Sequence, residues 1–165
     1  MLYAIDTEFI EDGRTIDLLS IGLVSMDGET LYLETSCVDR NRANPWVKQH
    51  VVPYLHPLHN PEEAAEDCPL ALPDVIRDRI RCFVGSSPQF VGYYSAYDWV
   101  ALCQLFGSMA RLPTDWPMYC RDLRQSLDER GLQHITQPND MPHHALSDAH
   151  WIMKTFLTLG SHDRR

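Results

Sequence analysis

A mixed α/β fold, one sheet with helices packed on it, is what the chain predicts, and three observations carry it. The stretch up to Thr35 reads as three strands joined by Asp-Gly turns, which makes an antiparallel meander. The rest alternates helical and strand patterns, the order expected of a mixed sheet covered by helices. With 165 residues, 44% of them hydrophobic and 22% charged, the chain suits a single ordered domain over 1–165, without internal repeats or a linker.

Met1 to Ile10 alternates as a strand does, with Tyr3, Ile5, Thr7 and Phe9 on one face and Ala4, Asp6, Glu8 and Ile10 on the other. The Asp12-Gly13 turn leads to a second strand from Thr15 to Met26, and Asp27-Gly28 to a third over Leu31 to Thr35. Asn44-Pro45 has the form of an N-cap with a first-turn proline, opening a short helix through Trp46, Val47 and Val51. Residues 53–73 form a proline-rich acidic loop or insertion, whose Glu62, Glu63, Glu66 and Asp67 read as a solvated face. Val75, Ile76, Ile80 and Phe83 recur as on an amphipathic helix from Leu72 to Val84, which Gly85 ends. A buried-type strand from Phe90 to Tyr94 precedes a helix from Ala96 to Phe106, stopped by Gly107. A short strand around Met118 to Cys120 runs into a helix ending near Arg130-Gly131. The loop from Gln133 to Pro142 is polar, and Ala145 to Leu159 forms the last helix.

Composition narrows the function classes. No apolar run reaches the roughly 18 residues of a membrane span, and Met1 to Asp6 lacks the basic opening of a signal peptide. A cytoplasmic location away from membranes is expected. Cys37, Cys68, Cys82, Cys103 and Cys120 are odd in number and lack a CxxC pair, which argues against a disulfide framework and for small buried apolar side chains. The net charge of −9 favours an enzyme holding a short 3′ end over a protein that coats long nucleic acid through a broad basic face. Any grip on nucleic acid is then local: metal ions, a few arginines and aromatic faces.

Three places can carry chemistry. Period-two geometry sends the carboxylates of Asp6 and Glu8 to one side of an otherwise apolar strand, where burial and repulsion disfavour two charges unless a cation neutralises them. Such converging hard oxygens suit Mg²⁺ or Mn²⁺, and an exposed sheet face is the plain alternative. Asp98 begins a helix after a buried strand, where the helix dipole alone would also favour it. In His143-His144-Ala145-Leu146-Ser147-Asp148, His143 enters the last helix and a neutral imidazole there suits a general base. His144 and His150 also read as surface histidines, and a zinc site made from this cluster is disfavoured, since its spacing is neither His-x₃-His nor the metalloprotease pattern.

Taken together, Asp-x-Glu on the first strand, an aspartate at a central helix start and His-x-Ala-x-x-Asp near the C-terminus resemble the DEDDh 3′–5′ exonucleases, which include oligoribonuclease, RNase T and polymerase proofreading subunits. The resemblance runs from Asp6 to Asp148 and implies an RNase H-like fold. It assigns metal ligation to Asp6, Glu8, Asp98 and Asp148, and the general base to His143. It also implies two Mg²⁺ ions, with Mn²⁺ able to substitute, and release of nucleoside 5′-monophosphates. The compact chain looks more like the oligoribonuclease and RNase T branch, so single-stranded RNA or 3′ overhangs are the expected substrate and a homodimer the expected assembly. Phe9, where proofreading nucleases carry a small residue, is a candidate to stack on a base; Trp99 is a second. Arg121 and Arg124, and less directly Arg40 and Arg42, are candidate phosphate contacts. Trp46, Trp99, Trp116 and Trp151 offer apolar area for a dimer. A 3′–5′ DNA exonuclease, a hydrolase of small phosphoesters and a catalytically silent nucleic-acid-binding module remain as alternatives.

Overall fold

The computed structural model describes residues 1–58, 69–132, 135 and 143–162. Six strands form one sheet in the order β4-β3-β2-β1-β5-β6. The meander is β1 (Leu2–Glu11), β2 (Ile16–Ser25) and β3 (Thr30–Thr35), each antiparallel to the next. A short helix α1 (Pro45–His50) follows, capped by the Asn44 side chain, which accepts from the Val47 N–H as the Asn-Pro pair predicts. Then come β4 (Leu70–Ala71), α2 (Pro73–Val84), β5 (Gln89–Gly92), α3 (Ala96–Leu105), β6 (Arg121–Asp122), α4 (Leu123–Glu129) and α5 (Ala145–His162). Strands β4, β5 and β6 each run parallel to their neighbours.

The sheet has two covered faces, and the alternation of β1 decides which residue sees which. Tyr3 and Ile5 join Ile21, Leu23 and Leu33 beneath α2 and α3, where Ile76, Ile80, Trp99 and Leu102 complete the core around Phe90. Ala4 and Val24 face the other way and pack with Leu123 and Leu127 of α4 and Ala149, Ile152 and Met153 of α5. Beyond them, Ile10 and Leu19 meet Val47 of α1 and Val51 just after it. Helix α2 ends where Gly85 takes φ 68°, a left-handed turn that costs a glycine little.

Two elements differ from expectation. Strand β4 lies within the stretch read as loop; its two residues pair beside Glu34 and Thr35 through backbone alone, without a side-chain pattern to betray them. The last strand sits at Arg121–Asp122 rather than Met118 to Cys120, because the register pairs Val91 with Arg121 and leaves Met118 and Tyr119 exposed. The acidic cluster of the 53–73 loop and most of the 133–142 loop lie outside the described residues. Cys37 and Cys82 are exposed and only Cys103 is fully buried among the described cysteines, so the expected burial holds for one. Among the described residues no helix is long and apolar enough to cross a membrane.

Candidate active site

Strand β1 outruns its neighbour. It pairs with β5 only from Leu2 to Ala4 but continues to Glu11, so its later backbone groups have no strand on that side. Asp98, in the first turn of α3, fills the place: its Oδ1 accepts from the Thr7 N–H at 2.8 Å and from the Thr7 hydroxyl at 2.6 Å. Helix α3 is itself pinned by Asp122, whose Oδ2 accepts from the Ser95 N–H while Oδ1 caps α4 through Arg124 and Gln125. Asp98 is thereby buried against the edge of β1 at Thr7, the residue between Asp6 and Glu8.

Asp148 arrives from the opposite face. In β2, Gly22 pairs with Asp6, and α5 lies so close over it that an added Cβ would stand 2.4 Å from the Ala145 carbonyl carbon. Only a glycine admits the helix at that depth. The approach brings Asp148 and the residue before the helix, His143, onto Glu8: one ligand atom of each lies within 4.8 Å of the others. Among the described residues this is the one group with converging metal-ligand atoms. His143 has φ 64°, a left-handed conformation that costs a non-glycine residue about 1–2 kcal/mol.

The electrostatics follow from this crowding. Burial pushes the Asp6 carboxyl well above its ordinary value, and the charges of Asp98, Glu8 and Asp148 push it further. Burial, then Asp148 and Asp98, raises Glu8 to about 8. Burial raises Asp98 to about 6 although its bonds from Thr7 work in the other direction. His143 moves down, through burial first and the neighbouring His50 second, so its ring is neutral at pH 7. Carboxylates that resist ionising together, on a hard-oxygen donor set with one imidazole, fit a divalent metal ion.

Asp6, Glu8, Asp98, His143 and Asp148 are thus brought together from β1, α3 and α5, while the candidate substrate contacts separate. Phe9 sits beside Glu8 and meets the exposed Tyr97 edge-on, ring centroids 5.6 Å apart. Trp99 needs correction: it is buried against Phe90 in the main core and out of a substrate's reach. Arg124 needs correction too, since it is buried and its guanidinium is taken by Asp128 and the Leu132 carbonyl. Arg121 is exposed but lines a surface depression with Gln125, Arg130 and Phe156, none of them a member of the carboxylate group. Arg40 pairs with Glu34, and Arg42 with Asp17 and Asp12. Of the tryptophans proposed for an interface, Trp116 is in the core and Trp151 is half-buried against Tyr93.

Trp46 has a different place. Its exposed ring stacks on His50 at 4.8 Å and meets His143 edge-on at 4.6 Å, forming a wall at the site. The Trp-x₃-His spacing, which puts both rings on one helix face, was the available sequence signal for it. Thr7 and Asp122 had none beyond strand alternation and a capping pattern.

A family model described as the 3′–5′ exoribonuclease Rv2179c-like domain matches residues 1–159. The chain belongs to this family, and it is a nuclease. It is 38% identical over 164 residues to the 3′–5′ exoribonuclease Rv2179c of Mycobacterium tuberculosis (strain ATCC 25618 / H37Rv), covering 99% of this chain and 95% of that one. Among solved structures, the zinc-bound form of E. coli exonuclease I with single-stranded DNA superimposes with a TM-score of 0.67 at 14% identity. The match covers 99% of this chain and 41% of that one, so the family domain spans about two fifths of the exonuclease I chain. A chain from the structure of the yeast NOT1 MIF4G domain co-crystallised with CAF1 superimposes with a TM-score of 0.58 at 12% identity, over 99% of this chain and 80% of that one. Likeness at these identities speaks for the fold, an RNase H-like sheet of the exonuclease I kind.

Proposed function

We propose that this family member is a DEDDh-type 3′–5′ exoribonuclease that removes nucleoside 5′-monophosphates from single-stranded RNA or from 3′ overhangs. The observation that carries the reading is the convergence of four carboxylates and His143 at the half of β1 that has outrun β5. Asp6, Glu8, Asp98 and Asp148 are the proposed holders of two Mg²⁺ ions, with Mn²⁺ as substitute. Bound there, such ions would acidify the attacking water and offset charge on the phosphoryl and leaving oxygens.

His143, neutral at pH 7, accepts the proton of the attacking water; its approach is limited by the Trp46 wall and its orientation by the turn into α5. The water oxygen bonds to phosphorus, the bond to the 3′ oxygen breaks, and phosphate leaves on the 5′ position of the released nucleoside. Phe9 with Tyr97, and Trp46 opposite His143, present aromatic faces on which bases can stack without sequence preference. The proposal further takes 1–165 as one exonuclease domain acting in the cytoplasm. It also takes the chain as a two-fold dimer, with the exposed Leu72, Val75 and Cys82 side chains in and beside α2 as available area. Sedimentation velocity measures that assembly directly.

The test is a cleavage ladder on 5′-labelled oligomers, RNA and DNA in matched sequence, single-stranded and with 3′ overhangs. Single-nucleotide steps from the 3′ end of RNA are expected with Mg²⁺ and none with EDTA. Preference for the DNA series would turn the reading to a DNA exonuclease; no cleavage of either would leave a binding module.

A further inference from the structure

Tyr32 and His144 face each other as near-parallel rings, centroids 4.6 Å apart and planes 21° from parallel. Tyr32 belongs to a row that crosses three strands: Asp6 pairs with Gly22, and Gly22 with Tyr32. All three look toward α5. Gly22 carries no side chain, so Tyr32 is the next group along the row that can meet the start of that helix. It meets it at His144, whose carbonyl accepts the Asp148 N–H at 3.0 Å and so opens the first turn.

The far end of Tyr32 is held. Its hydroxyl donates to Oε1 of Glu34 at 2.9 Å. Glu34 is fully buried, and its two oxygens also take the His56 N–H and ring Nδ1 at 2.9 Å each and an Arg40 nitrogen at 3.4 Å. A buried carboxylate with this many donors is a fixed point, since releasing one leaves charge uncompensated. The phenol plane is set by that anchor, and the imidazole plane by the phenol.

We infer that Tyr32 and His144 form a positioning stack that fixes the entry into α5, placing His143 and Asp148 against Glu8. The inference rests on the exonuclease reading above. Neither residue touches the reacting atoms; they act through the backbone. His143 stands one residue before His144 in a left-handed conformation that costs a non-glycine residue energy, and Asp148 hangs from the His144 carbonyl one turn later.

Three variants test it: His144→Ala, His144→Phe and Tyr32→Phe. Each is compared with the parent for kcat and KM on a 5′-labelled RNA oligomer with Mg²⁺, and for Mn²⁺ affinity by calorimetry. Displacing two catalytic groups by a fraction of an ångström to an ångström lowers kcat about 10–100-fold, so His144→Ala should show that loss with KM little changed and with weaker Mn²⁺ binding. His144→Phe keeps a flat ring and should restore both quantities to near the parent. Tyr32→Phe keeps the ring but not its anchor and should fall between. Parental kcat and Mn²⁺ affinity in His144→Ala would overturn the inference, as would a His144→Phe protein no better than His144→Ala. Should the parent bind Mn²⁺ yet leave RNA uncut, the exonuclease reading fails, while the Mn²⁺ comparison still decides the stack.

Discussion

Glu8 and His143 lie within ligand distance of each other, yet their protons respond oppositely to the same burial. Glu8 is held protonated up to about pH 8 in the metal-free protein, against an ordinary value of 4.5. Between those two values the folded state keeps a proton that the unfolded state has lost, so Glu8's contribution to stability falls as pH rises, by at most about 1.4 kcal/mol per pH unit, and the raised Asp6 and Asp98 add in the same direction. Urea unfolding in EDTA at pH 5 and pH 8 should show that loss, and adding Mn²⁺ at pH 8 should reverse it. Burial and the neighbouring His50 depress His143, so the acid limb of kcat/KM should lie below the ordinary 6.5 of histidine and report loss of the base as its ring protonates. His143→Ala should lose roughly 10²–10⁴-fold in kcat while calorimetry still detects Mn²⁺. A pH–rate profile whose acid limb survives the substitution would take the base away from His143.

Among the elements, the seating of α5 on β2 is the contact on which the site depends. Gly22→Val would push two methyl groups into the Ala145 backbone, which cannot step aside as a flexible side chain would. Overpacking of this sort costs about 1–3 kcal/mol, and here the displaced element carries His143 and Asp148. A lower urea midpoint and a drop in kcat should therefore appear together in that variant. The sequence made this element visible but not its depth. Strands β1 to β3 were legible because alternation and Asp-Gly turns are local signals, and the ends of α2 and α3 because a glycine follows each, whereas α5 runs on through Gly160 to His162, past the expected end at Leu159. Strand β4 was not legible, and β6 only as a strand set a few residues early, for each has two residues and exists only through a partner's backbone. The same distinction divides the side chains. The carboxylates and His143 could be picked out because burying such groups demands a reason, whereas the fate of Trp99 depended on which side of α3 faces Phe90, and that of Arg124 on an acid one turn away.

Over the whole molecule, the charge of −9 and the pairing of its arginines set how substrate is held. Arg40, Arg42, Arg77 and Arg124 each have a carboxylate partner. With 23 acidic residues against 14 basic ones, the molecule as a whole offers little net positive field to exchange for the counterions of a nucleic-acid backbone. For single strands each neutralised phosphate contributes a slope of about −0.7 in log K against log salt. Binding of a short RNA in Ca²⁺, measured by fluorescence anisotropy from 50 to 300 mM KCl, should therefore give a slope of only one or two such contacts, about −1. A steep slope would reveal a basic path along the chain.

The open side of β1 also bears on the protein's life in solution. A central strand whose backbone is left without a neighbour is a template for some other chain's strand, a hazard that sheets usually blunt with charge or cover. Asp98 occupies that edge through its two bonds from Thr7. The group proposed to bind metal is then also a stopper against intermolecular pairing. Asp98→Ala should scatter light on mild heating well before the parent does, whereas Asp98→Asn, which keeps an acceptor for Thr7, should lose activity and stay clear.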